Sequence, residues 1–277
     1  ITTFRSDIGY ADSRHPDQVV FSSNILNDLS RRDFTINSIA CGLDGDLIDP
    51  FGGLSDIKNK ILRATGEPKI RFGEDALRIL RLFRFAAQLG FEIEQNTLEA
   101  AVSFQEKLSA ISKERIGAEF LRLLSHDCAK PLKQMSDGGI LEITGIKSIE
   151  HAERIQACPN NPILRLAVLT DLSQSDSETV YSALKLSNDQ KRLCGDFLAE
   201  LSRAPYRSKA EFKSEYAALS SEQWKALIQA KTALGQDIGA ISDYLDQIRQ
   251  NNEPYQLSQL ALNGDDLSQI GYEGKGI

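Results

Sequence analysis

Two hydrophobic periods divide the chain. Up to about residue 54 the apolar residues come in short runs broken by turn formers: Ile1 to Arg5 and Gln18 to Phe21 are β-branched or aromatic stretches set apart by Gly9, Ser13 and Pro16. Asp44-Gly45, between IACGL and DLID, is the signature of a tight hairpin turn. A small sheet with one embedded turn is predicted there. From about Ser55 apolar residues recur at three- and four-residue spacing, which predicts helices over 74–89, 97–109, 112–124, 149–157, 162–172, 176–186, 188–203, 209–218, 221–233 and 236–250, with nothing but helix after Ser55.

Some helix starts have a mechanism behind them. Ser187-x-x-Gln190 and Ser220-x-x-Gln223 fit the capping box, in which hydroxyl and amide satisfy free backbone N–H groups reciprocally, and Pro162 suits a first helical position. Cys158-Pro-Asn-Asn-Pro162 and Asn251-Asn252-Glu253-Pro254 cannot continue a helix and mark breaks. No repeat of fixed period and no low-complexity tract is present.

Composition narrows the class. At 277 residues, 41% hydrophobic and 26% charged, the chain is globular in character, and no run approaches the roughly 18–20 apolar residues of a bilayer span. Cys41, Cys128, Cys158 and Cys194 lie far apart, and His15, His126 and His151 fall into no ligand spacing, so a zinc site or disulfide framework is not expected and a reducing compartment is. The formal charge of −7 argues against coating nucleic acid by charge alone. Residues 1–90, however, carry 12 Lys/Arg and 12 Asp/Glu, so the deficit sits beyond them and any anion site should be local and early.

The chemistry concentrates in RFGEDALRILRLFRFAAQLG, residues 71–90. Ten of the seventeen residues from Glu74 to Gly90 are apolar, which implies burial on most faces, yet Arg78, Arg81 and Arg84 follow Asp75 at three-residue steps. On a helix that spacing precesses by about 60° per step, giving an oblique stripe. Buried guanidinium groups cannot shed their protons and need anionic partners. Two readings follow: an internal salt-bridge lattice, with Asp75 and Arg78 paired at i,i+3, or a phosphate or nucleotide site in which a carboxylate and a guanidinium address a base edge while other arginines take phosphates. Upstream, DLSRRDFTIN (28–37) reads either as a helix start capped by Ser30, with Asp33 in the first turn, or as part of the same site. Asp49-Pro-Phe-Gly-Gly53 with Asp56 reads as a tight turn.

In this order and spacing, RRDFTIN (31–37), DPFGG with Asp56 (49–56), RFGEDALRILRLFRF (71–85) and SKERIGAEFLRLL (112–124) closely resemble bacterial class II tRNA nucleotidyltransferases and poly(A) polymerases, the branch that includes CCA-adding enzymes. LNGDDLSQIGYEGKGI (262–277) also resembles the family's segment before its C-terminal helix, while 125–261 matches loosely. The resemblance implies an α+β fold: part of a polymerase-β-like nucleotidyltransferase head with a small β-sheet in 1–54, a helical neck carrying the nucleotide-template helix in 55–125, a helical body in 126–250 and the start of a tail in 251–277. It implies that Arg32 contacts the incoming nucleotide, that Asp75 and Arg78 read the Watson–Crick edge of CTP or ATP, and that Arg81 and Arg84 help hold it. Glu114, Arg115 and Glu119 would support the template helix structurally, and 49–56 would be a flexible link from head to neck.

The resemblance further implies template-independent addition of CCA to tRNA 3′ ends from CTP and ATP in the cytoplasm, with no membrane or DNA partner. Poly(A) polymerization is the neighbouring alternative, and a non-catalytic RNA-binding helical protein the alternative of another class. The family binds Mg²⁺ through an Asp-x-Asp pair after a glycine-rich turn, and two Mg²⁺ ions assist attack of the RNA 3′-hydroxyl on the α-phosphorus. Neither motif is found here, since Asp44-Gly45-Asp46 sits in the hairpin turn downstream of RRD. The expectation is a fragment of a longer enzyme, beginning part-way through the head, with no metal ligands and negligible turnover of its own.

Overall fold

The computed structural model describes residues 5–8, 18–21 and 24–254. In chain order these form β1 (Arg5–Ile8), β2 (Gln18–Phe21), α1 (Ile25–Ser30), β3 (Ala40–Cys41), β4 (Leu47–Ile48), α2 (Gly53–Asn59), β5 (Ile61–Leu62), α3 (Pro68–Glu74), α4 (Leu77–Leu89), β6 (Glu92–Ile93) and α5 (Gln95–Ser103). Then follow α6 (Lys113–Leu124), α7 (Ala129–Asp137), α8 (Ala152–Gln156), α9 (Pro162–Leu172), α10 (Ser177–Ala183), α11 (Asn188–Leu201), α12 (Lys209–Tyr216), α13 (Ser221–Ala233) and α14 (Gly239–Gln250). The chain divides into two compact units, 1–198 and 199–277.

Among the described residues, β1 pairs antiparallel with β2, β3 antiparallel with β4, and β5 parallel with β6, each as a two-stranded piece. The Asp44-Gly45 turn closes the β3–β4 hairpin as expected, with Gly45 at φ 91°. The strand expected over Ile1–Arg5 falls almost wholly outside the described residues, as does 262–277. β5 and β6 correct the all-helical expectation after Ser55: Glu92 N–H donates to Lys60 O and Glu94 N–H to Leu62 O, stitching the chain on either side of α3 and α4.

Apolar faces set the packing of the first unit. α4 lies against α6 and α7, α6 also against α9 and α10, and α7 against α8. Phe34, Phe72, Phe83 and Phe120 are fully buried there. α9 is buried along nearly its whole length, and its one basic residue, Arg165, is 4% exposed. No carboxylate is needed: Arg165 donates to the carbonyls of Leu124 (2.9 Å), His126 (2.7 Å) and Cys158 (2.9 Å), the open C-terminal ends that follow α6 and α8. In the second unit Phe212 gathers Tyr206, Tyr216, Trp224 and Tyr244 around it. Both capping boxes form, Gln190 N–H to Ser187 Oγ and Gln223 N–H to Ser220 Oγ each at 3.3 Å. No helix among the described residues is long and apolar enough to cross a membrane.

Close approach of α6 to the end of α10 depends on one missing side chain. A Cβ on Gly117 would stand 2.0 Å from the carbonyl oxygen of Leu184 and 2.9 Å from its carbon, both backbone atoms that cannot swing aside. Gly117→Ala should therefore lower stability by about 1–3 kcal/mol, overriding the ~1 kcal/mol that alanine ordinarily gains over glycine within a helix. A thermal melt that moved upward would contradict this packing.

Two sequence expectations meet a different local structure. The helix expected over 74–89 is broken: α3 ends at Glu74, Asp75 is extended (φ −143°, ψ 103°), and α4 begins at Leu77. Asp75 Oδ1 accepts the Leu77 N–H at 3.0 Å, so the aspartate caps a new helix instead of lying on the old one. Likewise Ser30 ends α1, which Asn24 caps, and RRDFTIN leads into a single 3₁₀ turn over Thr35–Asn37.

Candidate functional site

The short 3₁₀ turn and the α3–α4 break face one another across an open cleft of about 560 Å³. Its lining includes Arg31, Arg32, Asp33 and Asn37 from the first segment, Asp75, Arg78, Arg81 and Phe85 from the second, and Arg115 from the first turn of α6. Five arginines against two aspartates make a local basic site on a chain of net charge −7. That composition favours an anionic ligand with hydrogen-bonding edges.

Each cleft arginine is held by an acid. Asp28, 4% exposed, accepts from both neighbours at once: Arg31 Nη2 at 2.5 Å on Oδ1 and Arg32 Nη2 at 3.0 Å on Oδ2. Burial works to raise its carboxyl, but the hydrogen bonds and charges of the two arginines outweigh it and hold it below the usual range. Arg32 also donates to Asn37 O at 3.2 Å and keeps its head exposed. Arg78 Nη1 donates to Glu74 at 2.7 Å and Nη2 to Arg31 O at 2.8 Å, so the expected Asp75–Arg78 pair is replaced by an i,i+4 pair. Asp75 instead meets Arg115 Nη2 at 3.2 Å, 40 residues further on.

Arg81 reaches Asp33 Oδ2 with Nε at 2.9 Å and Nη2 at 2.5 Å. Burial of Asp33 pushes its carboxyl up, yet the Arg81 charge and hydrogen bonds from Asn37, Arg81 and the Phe34 N–H prevail, and it lies below the ordinary carboxylate value. The aspartate is charged at neutral pH and ties the RRD segment to α4.

Arg84 does not line the cleft. Two three-residue steps carry it roughly 120° around α4 from Arg78, onto the face that meets α6. There it is 8% exposed, donates from Nε to Glu119 Oε2 at 2.6 Å and from Nη1 to Gln88 at 2.7 Å, and stacks over Phe85 with its guanidinium 3.8 Å from the ring centroid. Arg32, Asp75, Arg78 and Arg81 are thus brought together at one cleft, while Arg84 lies in the α4–α6 interface. Glu119 and Arg115 both reach from α6 to the α4 segment, Glu119 to Arg84 and Arg115 to Asp75, and Arg115 also lines the cleft. Arg31, Asn37, Phe85 and Arg115 were not singled out by local pattern. Arg31 and Asn37 were within reach through the RRDFTIN motif, but nothing in the sequence near Arg115 points to Asp75.

The turn at 49–56, expected as a flexible link, is a tied corner. Asp49 accepts the N–H groups of Gly53 (2.7 Å) and Leu54 (2.9 Å), capping α2, while buried Asp56 accepts from Thr35 Oγ1 at 2.7 Å and pairs with Arg63 at 3.2 Å. Gly52 takes φ 75°, and a Cβ on Gly53 would lie 2.2 Å from Thr35 O, so both glycines are required for the corner to press against the 3₁₀ turn. Among the described residues no group of three or more His, Cys, Asp or Glu side chains could hold a metal ion.

Residues 1–63 match the family model "Poly A polymerase head domain", and residues 90–144 match "Probable RNA and SrmB-binding site of polymerase A". The CCA-adding enzyme of Lactobacillus gasseri is 35% identical over 247 residues, which is 86% of this chain and 62% of that protein. The Bacillus stearothermophilus CCA-adding enzyme in complex with CTP superposes with a TM-score of 0.76 at 28% identity, covering 99% of this chain and 70% of the other. The chain belongs to the class II nucleotidyltransferase family. A second relative, the CCA-adding enzyme of Lactobacillus delbrueckii subsp. bulgaricus, is 42% identical over 188 residues, 66% of this chain and 44% of that protein. The Thermotoga maritima CCA-adding enzyme complexed with tRNA shares the fold, with a TM-score of 0.62 at 22% identity. The chain therefore spans 44% and 62% of the length of these two curated relatives. Within the family's α+β fold, the expected head segment is the one that supplies RRD to the cleft.

Proposed function

We propose that this chain is the nucleotide-selecting part of an enzyme that adds CCA to tRNA 3′ ends from CTP and ATP in the cytoplasm. The observation that carries the reading is the cleft, where Asp75 and Arg78 flank the start of α4, Arg81 follows one turn on along α4, and Arg32 faces them from the RRD side. Cytosine and adenine both present an exocyclic amine beside an unprotonated ring nitrogen. A carboxylate accepts from the first and a guanidinium donates to the second, whereas uracil and guanine reverse that order of donors and acceptors. Arg32 and Arg81 supply charge for the phosphates. The relatives and solved structures described as CCA-adding enzymes, one with CTP and one with tRNA, favour CCA addition over poly(A) synthesis.

On this reading residues 1–54 complete the head, 55–125 form the neck, 126–250 the body and 251–277 the start of the tail. Nucleotidyl transfer in the family generally uses a divalent metal, here read as Mg²⁺. The described residues hold no group of three or more His, Cys, Asp or Glu side chains that could bind it, and the part of the reaction assigned to the cleft is to bind and orient the nucleotide. When the triphosphate enters, its oxygens compete with Asp33 for Arg81 and with Asp28 for Arg32. The test is calorimetric titration of the chain and of Arg32→Ala and Arg81→Ala. Each variant should lose about tenfold in affinity for CTP and ATP alike, the loss of one charge-assisted hydrogen bond, with the base preference unchanged. Unaltered affinity in both variants would remove the phosphate role.

A further inference from the structure

We propose that Phe85 is a positioning residue that keeps the Arg81 guanidinium in the cleft while it exchanges Asp33 for the oxygens of a triphosphate. The inference rests on the nucleotide reading above and deepens it, because it makes an aromatic ring, outside the polar set of the cleft, a determinant of phosphate affinity.

Phe85 is a half-buried aromatic side chain in the wall of an otherwise charged cleft. It stands one helical turn beyond Arg81 and two beyond Arg78 on α4, so the three side chains follow one another along the side of the helix that lines the cleft. Two buried groups fix the ring. Phe34, fully buried, meets it in a T-shaped contact with centroids 5.7 Å apart, and the Arg84 guanidinium, tied to Glu119, lies 3.8 Å from its centroid. The third group on the ring is the Arg81 guanidinium, 5.3 Å from the centroid.

Arg81 therefore has two kinds of partner. Asp33 accepts from its Nε at 2.9 Å and its Nη2 at 2.5 Å, and the negative face of the Phe85 ring attracts the same charge. A triphosphate that takes Arg81 from Asp33 replaces the first contact and leaves the second, because attraction to a ring uses none of the guanidinium's N–H donors. Held in this way, the side chain is spared part of the rotamer freedom that an arginine loses when it is ordered around a ligand. Affinity for the phosphates then depends on the ring, while the reading of the base at Asp75 and Arg78 does not.

Calorimetric titration of CTP and UTP into wild type, Phe85→Leu, Phe85→Tyr, Arg81→Ala and the double variant Arg81→Ala with Phe85→Leu tests this. Thermal melts verify folding, and Phe85→Met takes the place of the leucine variant if leucine unfolds the protein. The expected result is a fall of about fivefold in affinity for both nucleotides in Phe85→Leu, the size of one cation–π contact, with their ratio unchanged and with recovery in Phe85→Tyr. In the Arg81→Ala background the same substitution should cost nothing further, because the ring then has no cleft arginine to hold. A loss that adds in full to that of Arg81→Ala would make Phe85 a packing residue and overturns the inference, as does wild-type affinity in Phe85→Leu. Arg81→Ala that binds CTP as tightly as wild type, or a wild type that binds no CTP, overturns the nucleotide reading itself, and this inference with it.

Discussion

Replacing Glu119 with alanine should cost about 3–5 kcal/mol of stability, the penalty for leaving one member of a buried ion pair uncompensated. Arg84 is 8% and Glu119 6% exposed, their contact is 2.6 Å, and the guanidinium is also held by Gln88 and stacked on Phe85. Arg84→Ala should cost a similar amount from the other side. The double change Arg84→Met with Glu119→Leu should recover most of the loss, because apolar groups of similar volume then fill the α4–α6 interface without desolvating charge. Denaturant unfolding of the three variants measures the cycle. The same variants separate two roles for Arg84: as an interface residue it should leave the nucleotide preference of the folded protein unchanged, and a selective loss of CTP and ATP binding in the double variant would return it to the site.

Asp75→Ala and Arg78→Ala should each erase the discrimination between bases, a change on the order of 10- to 100-fold in the affinity ratio if each supplies one well-placed hydrogen-bonding partner. The two substitutions differ in what else they disturb. Asp75→Ala removes the cap on Leu77 N–H and releases Arg115, and so should also cost about 1 kcal/mol of stability. Arg78→Ala releases Glu74 and the Arg31 carbonyl and loosens the tie between α4 and the RRD segment. Binding that survives in either variant should have become indifferent to the base.

Much of the helical half was legible in the sequence because burial there follows local period. α9 occupies the expected 162–172, with Pro162 first and Asn161 accepting from the N–H groups of Ile163 and Leu164, and α13 the expected 221–233 behind its capping box. α7 escaped because its pattern is short and interrupted by Pro131, and α2 because its start depends on a distant contact between Gly53 and Thr35. The break at Asp75 was hidden by strong helix formers on both sides, although an aspartate able to cap is the one local sign of it. The acidic partners were not legible at all. Arg81 finds Asp33 48 residues upstream and Arg84 finds Glu119 35 residues downstream, and sequence spacing offers Arg78 two nearby carboxylates without deciding between them. Hence the stripe could be recognised as needing anions, while only the fold assigns three of its members to a cleft and one to a helix interface. The tied corner at 49–56 has the same origin, since Asp56 acts on Thr35 across 21 residues.

The most direct test of the central claim is the ratio of CTP and ATP affinity to UTP and GTP affinity, measured by calorimetry on the wild-type chain, Asp75→Ala and Arg78→Ala under one set of conditions. The expected result is a clear preference for the two amine-bearing bases in wild type and its disappearance in both variants. A preference that persists in both, or a wild type indifferent to the base, would mean that the cleft does not read nucleotides and that its arginines serve the fold alone.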